Sequence, residues 1–144
     1  MAELFIVGVD GSDGARRAAA FAAKRARCVG AKVLLLGVIE WSRYAFYTPE
    51  ELETRGRDKQ RATERAEREV LRPLAESLQG EGLEVSCLVR HGHAAEVIQA
   101  LAEERGASEV FVGREGRSPF VGALFGSVTH RIVSTSNVPV TVVP

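Results

Sequence analysis

Net charge is what this chain has least of. Its 19 Lys and Arg residues stand against 19 Asp and Glu in 144 residues, so no general electrostatic pull toward nucleic acid or an anionic membrane is expected. Any anion site must therefore be local. Cysteine is scarce too: Cys28 and Cys87 form no C-x-x-C pair, which argues against a disulfide framework or a zinc ribbon. Both read as reduced interior thiols, one at a helix end and one in a buried strand. Long apolar runs are missing, since stretches such as 33–39 are far too short to span a bilayer. The first residues show neither a basic n-region nor a cleavage site, and the expectation is a cytoplasmic protein without membrane insertion. A content of 45% apolar residues in this length fits one ordinary domain over 1–144 with a real core.

What is present is an alternation. Five short runs rich in Val, Ile or Leu, at 4–9, 32–38, 83–89, 109–112 and 138–143, are each bounded by Gly, Pro or Asp and read as strands. Helical patterns separate them. Segment 13–29 places Ala15, Ala18, Ala19 and Ala22 on one face. Segment 50–79 reads as one long solvated helix in which acids are interleaved with bases, so its charge run 55–72 is no nucleic-acid patch. Segments 94–105 and 126–136 complete four helices, and 41–49 is a longer polar and aromatic connection placed to cover something. Strands alternating with helices predict right-handed crossovers and a doubly wound, three-layer, Rossmann-like α/β fold with a parallel sheet. With the strand order 3-2-1-4-5, the ligand crevice falls between the ends of strands 1 and 4.

The strongest motif starts there. Gly113, Gly116, Gly126 and Ser127 form G-x-x-G-x(9)-G-S directly after the run 110–112, a strand leading into a glycine-rich loop and then a helix. Bare backbone N–H groups in such a loop and at such a helix start cradle phosphate. The expectation is that Gly113 and Gly116 admit close backbone approach, while N–H groups around Gly126 to Val128 point outward. There is no G-x-x-x-x-G-K-[ST], and the first turn, from Gly8 and Val9 through Asp10 to Gly14, does not fit G-x-G-x-x-G. Asp10 would repel phosphate, but its carboxylate can accept from a ribose hydroxyl or a base amine; its alternative role is in the start of the first helix, capped by Ser12 or Asp13.

These segments resemble the universal stress protein family over nearly the whole chain: the opening strand into Val9-Asp10-Gly11-Ser12, the second strand 34–38, the Gly92 segment, and the glycine motif followed by Asn137-Val138-Pro139-Val140. The resemblance implies the ATP-binding branch, with adenine near Asp10 and the backbone of Val38 and with phosphates on Gly113, Gly116, Gly126, Ser127 and Val128, in the presence of Mg²⁺. Gly8, Val9 and Val112 complete the expected cofactor-binding set, with Arg117 as a charge-assisted phosphate partner and Arg114 as a weaker one. Departures from the family pattern are Ser108 for Asp, Ala94 for Pro and Val112 for Met, none of which removes a phosphate donor.

Other polar residues carry less. His91 and His93 flank Gly92 without a third ligand, a poor zinc site, and read as an exposed pair. His130 lies one turn into the last helix and reads as solvated. A phospho-receiver domain needs an Asp after strand 3 and a Lys after strand 5, where this chain has Arg90-His91-Gly92 and Pro144. Three readings stay open: a nucleotide-dependent regulatory or stress-response module, a slow ATPase or phosphotransferase, and a nucleotide-free homodimeric interaction module. The last strand, guarded only by Pro139 and Pro144, is expected to be a sheet edge through which two copies pair. A regulatory protein partner is expected as well.

Overall fold

The computed structural model describes residues 2–40, 48–80, 82–116 and 126–144. Its five strands are β1 (Leu4–Val9), β2 (Lys32–Ile39), β3 (Val85–His91), β4 (Glu109–Gly113) and β5 (Val140–Val143). They form one parallel sheet in the order β3-β2-β1-β4-β5, as the alternation predicts. Side chains on successive strand residues point to opposite faces, and both faces are covered. Phe5, Val7, Val33, Leu35 and Phe111 face one cluster. Ile6, Leu34, Leu36, Val110 and Val112 face the other. Burial on both sides is why these strands read as continuous apolar runs.

Helix α1 (Asp13–Val29) starts at Ser12, whose hydroxyl accepts from the Ala15 N–H at 3.1 Å, and ends at Gly30 in the left-handed conformation, φ 76°. Its Ala15, Ala18, Ala19, Ala22, Ala23 and Ala26 are all buried. Methyl side chains let the helix axis lie close to the sheet and lose no side-chain entropy there. On the opposite layer α4 (Ala94–Arg105) and α5 (Ser127–Thr135) bury Ile98, Leu101 and Ile132.

The segment expected as one solvated helix over 50–79 is more elaborate. Helix α2 (Pro49–Ala66) opens on a capping box between Thr48 and Glu51 and has no buried residue. A π-helical segment, Glu67–Leu71, leads into α3 (Arg72–Leu78). Pro73 supplies the cause: it has no N–H, and its ring pushes against the preceding turn, so the ladder slips to the wider spacing. The Arg72 N–H donates to the Glu67 carbonyl, five residues back. The shift of phase turns Leu71, Ala75 and Leu78 onto the sheet, all three buried, so the last third of the segment is core rather than solvated.

Three further expectations are corrected. Strand β3 lies two residues later than 83–89, because Leu83 closes a tight bridge with Gly80 and β2 continues far enough to pair Ile39 with His91. Strand β5 begins at Val140, since Pro139 has no N–H to give the ladder, although its carbonyl accepts from the Val110 N–H at 2.9 Å. Cys28 and Cys87 are exposed: the first is on the solvent side of α1, and the second is on β3, an edge strand incompletely covered. Desolvation, with a smaller push from Glu67, raises the Cys87 thiol above its ordinary pKa, which disfavours the thiolate.

Candidate functional site

A cavity of about 350 Å³ opens at the carboxyl ends of β1, β2 and β4, where the strand order reverses. Gly8, Val9, Asp10, Val38, Val112, Gly113, Gly116, Gly126, Ser127 and Val128 all line it. Ten of the eleven residues expected from sequence thus come together; Arg117 lies outside the described residues. The inner wall is apolar, formed by Leu36, Val38, Ile98 and Val112. Gly8 belongs to that wall through what it lacks: a Cβ there would sit 3.1 Å from Ile98 Cδ1 and 3.4 Å from Val112 Cγ1.

At the end of β1, Asp10 is bound into the start of α1. Its Oδ1 accepts from the Ser12 N–H at 3.0 Å and from the Ser12 hydroxyl at 2.5 Å. Its Oδ2 is directed at the glycine loop. It lies 2.7 Å from where a Cβ on Gly116 would be.

The glycines of the motif differ from one another in purpose. A Cβ on Gly113 would lie 2.8 Å from the carbonyl carbon of Gly14, so this glycine lets the backbone of α1 press on the end of β4. Gly14 reciprocates, since a Cβ there would lie 2.8 Å from the Glu115 carbonyl oxygen. The close approach seen at Gly113 is thus to α1. None of Gly113, Gly116 and Gly126 has a positive φ, so close contact, not a left-handed backbone, is what excludes a side chain. The Gly126 N–H is used internally, donating to the Arg114 carbonyl at 2.9 Å, while the Arg114 N–H donates to Val143 at 2.8 Å. Gly126 has no side chain with which to cap α5. The donors at this helix start are consequently the N–H groups of Ser127, Val128 and Thr129, which have no intrahelical partner and carry the positive end of the helix dipole.

Residues that sequence reasoning left out complete the walls. The buried Thr129 donates its hydroxyl to the Gly113 carbonyl at 2.7 Å and so ties α5 to β4. Glu40, just past β2, accepts from the Ala94 N–H at 2.8 Å and caps α4 from a distance of 54 residues in sequence. No local spacing signals a cap of that kind. With Asp10 and Glu115 it makes three carboxylates around the cavity. No group of three His, Cys, Asp or Glu among the described residues has the placement to hold a metal ion.

His91 is not a site residue and not an exposed loop residue. It ends β3, half-buried, with Nε2 2.7 Å from the Thr63 hydroxyl. That hydroxyl gives its proton to the Lys59 carbonyl at 2.9 Å, which leaves it an acceptor and His91 Nε2 the donor. Burial, and then the charge of Lys59, lowers the His91 pKa below its ordinary value. His93 precedes α4 without a side-chain cap, and His130 is exposed on α5. No described helix is long and apolar enough to cross a membrane.

The model of the Universal stress protein family matches residues 1–144. Among solved structures, the chain is similar to the universal stress protein UspA from Lactobacillus plantarum, with 20% identity, a TM-score of 0.85, and coverage of 99% of this chain and 97% of that one. It is similar also to the universal stress protein from Archaeoglobus fulgidus in complex with dAMP, at 21% identity and a TM-score of 0.68, covering 100% of this chain and 98% of that one. A third is a universal stress protein in complex with cAMP, 23% identical with a TM-score of 0.64 over 99% and 96% of the two chains. No curated protein sequence matches the chain.

Proposed function

The chain belongs to the universal stress protein family, and from that premise we propose that it is an ATP-binding member acting as a nucleotide-dependent regulatory or stress-response module. One observation carries the reading: a single cavity joins an apolar wall to the uncapped start of α5. The wall of Leu36, Val38, Ile98 and Val112 suits a purine ring. Asp10 suits a ribose hydroxyl or base amine. The N–H groups of Ser127, Val128 and Thr129 suit phosphate oxygens. The loop is packed closely against this helix start: a Cβ on Gly126 would crowd the Gly116 nitrogen at 3.2 Å. Relatives of the same fold solved with dAMP and cAMP support the ligand class.

Mg²⁺ has no three-residue cage among the described residues. It would enter on the phosphates, keeping most of its waters, as this ion commonly does. There it would offset phosphate charge beside Asp10 and Glu115. Arg117 remains the proposed cationic partner of the phosphates.

Binding without efficient turnover follows from what surrounds the phosphate end. Glu115 is the described base candidate on the loop itself; it is exposed, and no described residue bonds its carboxylate to fix its position. Phosphoryl transfer depends almost wholly on positioning and charge stabilisation. In the cell, nucleotide would act by favouring one conformation or assembly over another. The assembly proposed is a homodimer through β5, whose outer edge has no partner strand among the described residues and whose residues are all only partly covered. A cytoplasmic site of action and a regulatory protein partner belong to the same reading.

Calorimetry with Mg-ATP tests it, with an expected Kd in the micromolar range, on the order of −8 kcal/mol. Phosphate release by the same protein is expected to be slower than about 0.01 s⁻¹, well below typical enzymes. No heat and no thermal shift at millimolar Mg-ATP refutes nucleotide binding and leaves a nucleotide-free interaction module.

A further inference from the structure

Three helix starts border the same cavity, and among the described residues only that of α5 has no side-chain cap, since Ser12 caps α1. Helices α4 and α5 both begin on its lining, at Ala94 and Ser127. The start of α5 has no side-chain cap. The start of α4 is filled: Glu40, which also lines the cavity, accepts from the Ala94 N–H at 2.8 Å. His93, the residue in the cap position, makes no side-chain bond to the helix, so the carboxylate arrives from β2 instead. The chain is drawn together at that point by a second bond, from the Gly92 N–H to the Ile39 carbonyl at 3.0 Å.

We propose that Glu40 is a specificity-determining residue that fixes which way round a ligand lies and excludes ligands anionic at both ends. The proposal rests on the nucleotide reading above and goes beyond it. Along the row of strand ends, Glu40 follows β2, Asp10 follows β1, and the α5 start follows β4. These ends are spaced by about 4.8 Å per strand, so the ends of β2 and β4, where Glu40 and the α5 start lie, are roughly 10 Å apart, close to the length of a nucleoside. With Glu40 removed, the α4 and α5 starts would each present backbone donors and a positive dipole end to an anion. With Glu40 in place, the β2 end of the cavity carries fixed negative charge on a helix start that is already satisfied. A phosphate is accepted at α5 and repelled at α4. The β2 end takes a hydroxyl or an amine, which can donate to a carboxylate.

Residue 94 allows charge and position to be separated. Alanine supplies the N–H that pins Glu40, and proline at this first helical position would supply none. Proline suits the first turn of a helix, and His93 before it is extended, φ −83° and ψ 126°, as a residue preceding proline must be. Ala94→Pro therefore removes the hydrogen bond and keeps both the helix and the charge. Glu40→Gln removes the charge and keeps an acceptor oxygen for Ala94.

The test compares adenosine 5′-monophosphate with adenosine 3′,5′-bisphosphate by calorimetry on the wild type and both variants, with circular dichroism as the check on folding. The wild type is expected to prefer the monophosphate by about tenfold, the scale of one like charge at this distance in a partly solvated site. Glu40→Gln should lower the ratio at least about threefold by tightening the bisphosphate, Asp10 accounting for the remainder, with the monophosphate changed less than about threefold. Ala94→Pro should relax the ratio part of the way, because an unpinned carboxylate turns toward solvent and is screened. A ratio that stays the same in Glu40→Gln, with both variants folded and the monophosphate bound, overturns the role of Glu40 and leaves nucleotide binding intact. Failure of every protein, wild type included, to bind either nucleotide or ATP overturns the underlying reading instead.

Discussion

Gly113→Ala is the substitution for which structure and motif give opposing expectations. Read as a phosphate-loop glycine, its replacement damages ligand binding and spares the fold. The geometry predicts the reverse emphasis. The new Cβ would lie 2.8 Å from the Gly14 carbonyl carbon, 2.9 Å from its oxygen and 3.2 Å from the Ala15 nitrogen. All three are backbone atoms, so no rotamer change relieves the contact. Bringing the shortest of them to an ordinary 3.4 Å requires the start of α1 and the end of β4 to separate by about 0.6 Å. Both are held: α1 by the Ser12 cap, and the strand end by the bond from Arg114 N–H to Val143 and by the Thr129 hydroxyl. Overpacking of this kind costs about 1–3 kcal/mol, a sizeable share of a total stability of roughly 5–15 kcal/mol. In a chain of this size that lowers Tm by roughly 3–9 °C. Urea denaturation of the ligand-free protein measures it directly. Gly56→Ala is the control, since Gly56 lies within α2 with no atom within 4 Å of a Cβ, and it should stabilise by up to about 1 kcal/mol. Gly113→Ala as stable as the wild type would refute the packing argument and return Gly113 to the ligand.

Gly126→Val is expected to stay folded, since its φ of −64° and ψ of 160° suit any residue, but to be destabilised by about 1–3 kcal/mol and to lose measurable ATP binding by calorimetry as the branched side chain displaces the loop at the Gly116 nitrogen; a folded variant that binds ATP normally refutes the loop assignment. His91 should give a small acid destabilisation. Its pKa is lowered by burial and then by Lys59, so the fold favours the neutral ring, and the associated stability is full above the ordinary value of 6.5 and is lost as pH falls through the lowered one. Melting curves between about pH 7.5 and 5 should fall more steeply for the wild type than for His91→Gln, and parallel curves count against the lowered pKa.

Much of this molecule was legible in sequence because the information was local or periodic. Apolar runs such as Leu4–Val9, separated by helical patterns, specify a parallel sheet covered on both faces, and the chirality of crossovers limits its topology. The switch point then located the cavity, and the glycine spacing placed the α5 start upon it. Where residues act through partners distant in sequence, the pattern was silent. Glu40 became a helix cap only because β2 and α4 end side by side. Gly113 turned out to serve the backbone of α1, and the Gly126 N–H to be given to Arg114. Pro73 was visible all along, yet its effect on α2 and α3, a π-helical turn that swings Leu71 into the core, depends on a sheet waiting to receive that side chain. The sequence by itself determined the elements, their order and the end of the sheet at which the cavity opens, since these follow from residue periodicity and backbone stereochemistry. Tertiary structure alone decided which donors remain free and which glycines are structural, because hydrogen bonds and close contacts are made between atoms that only folding brings together.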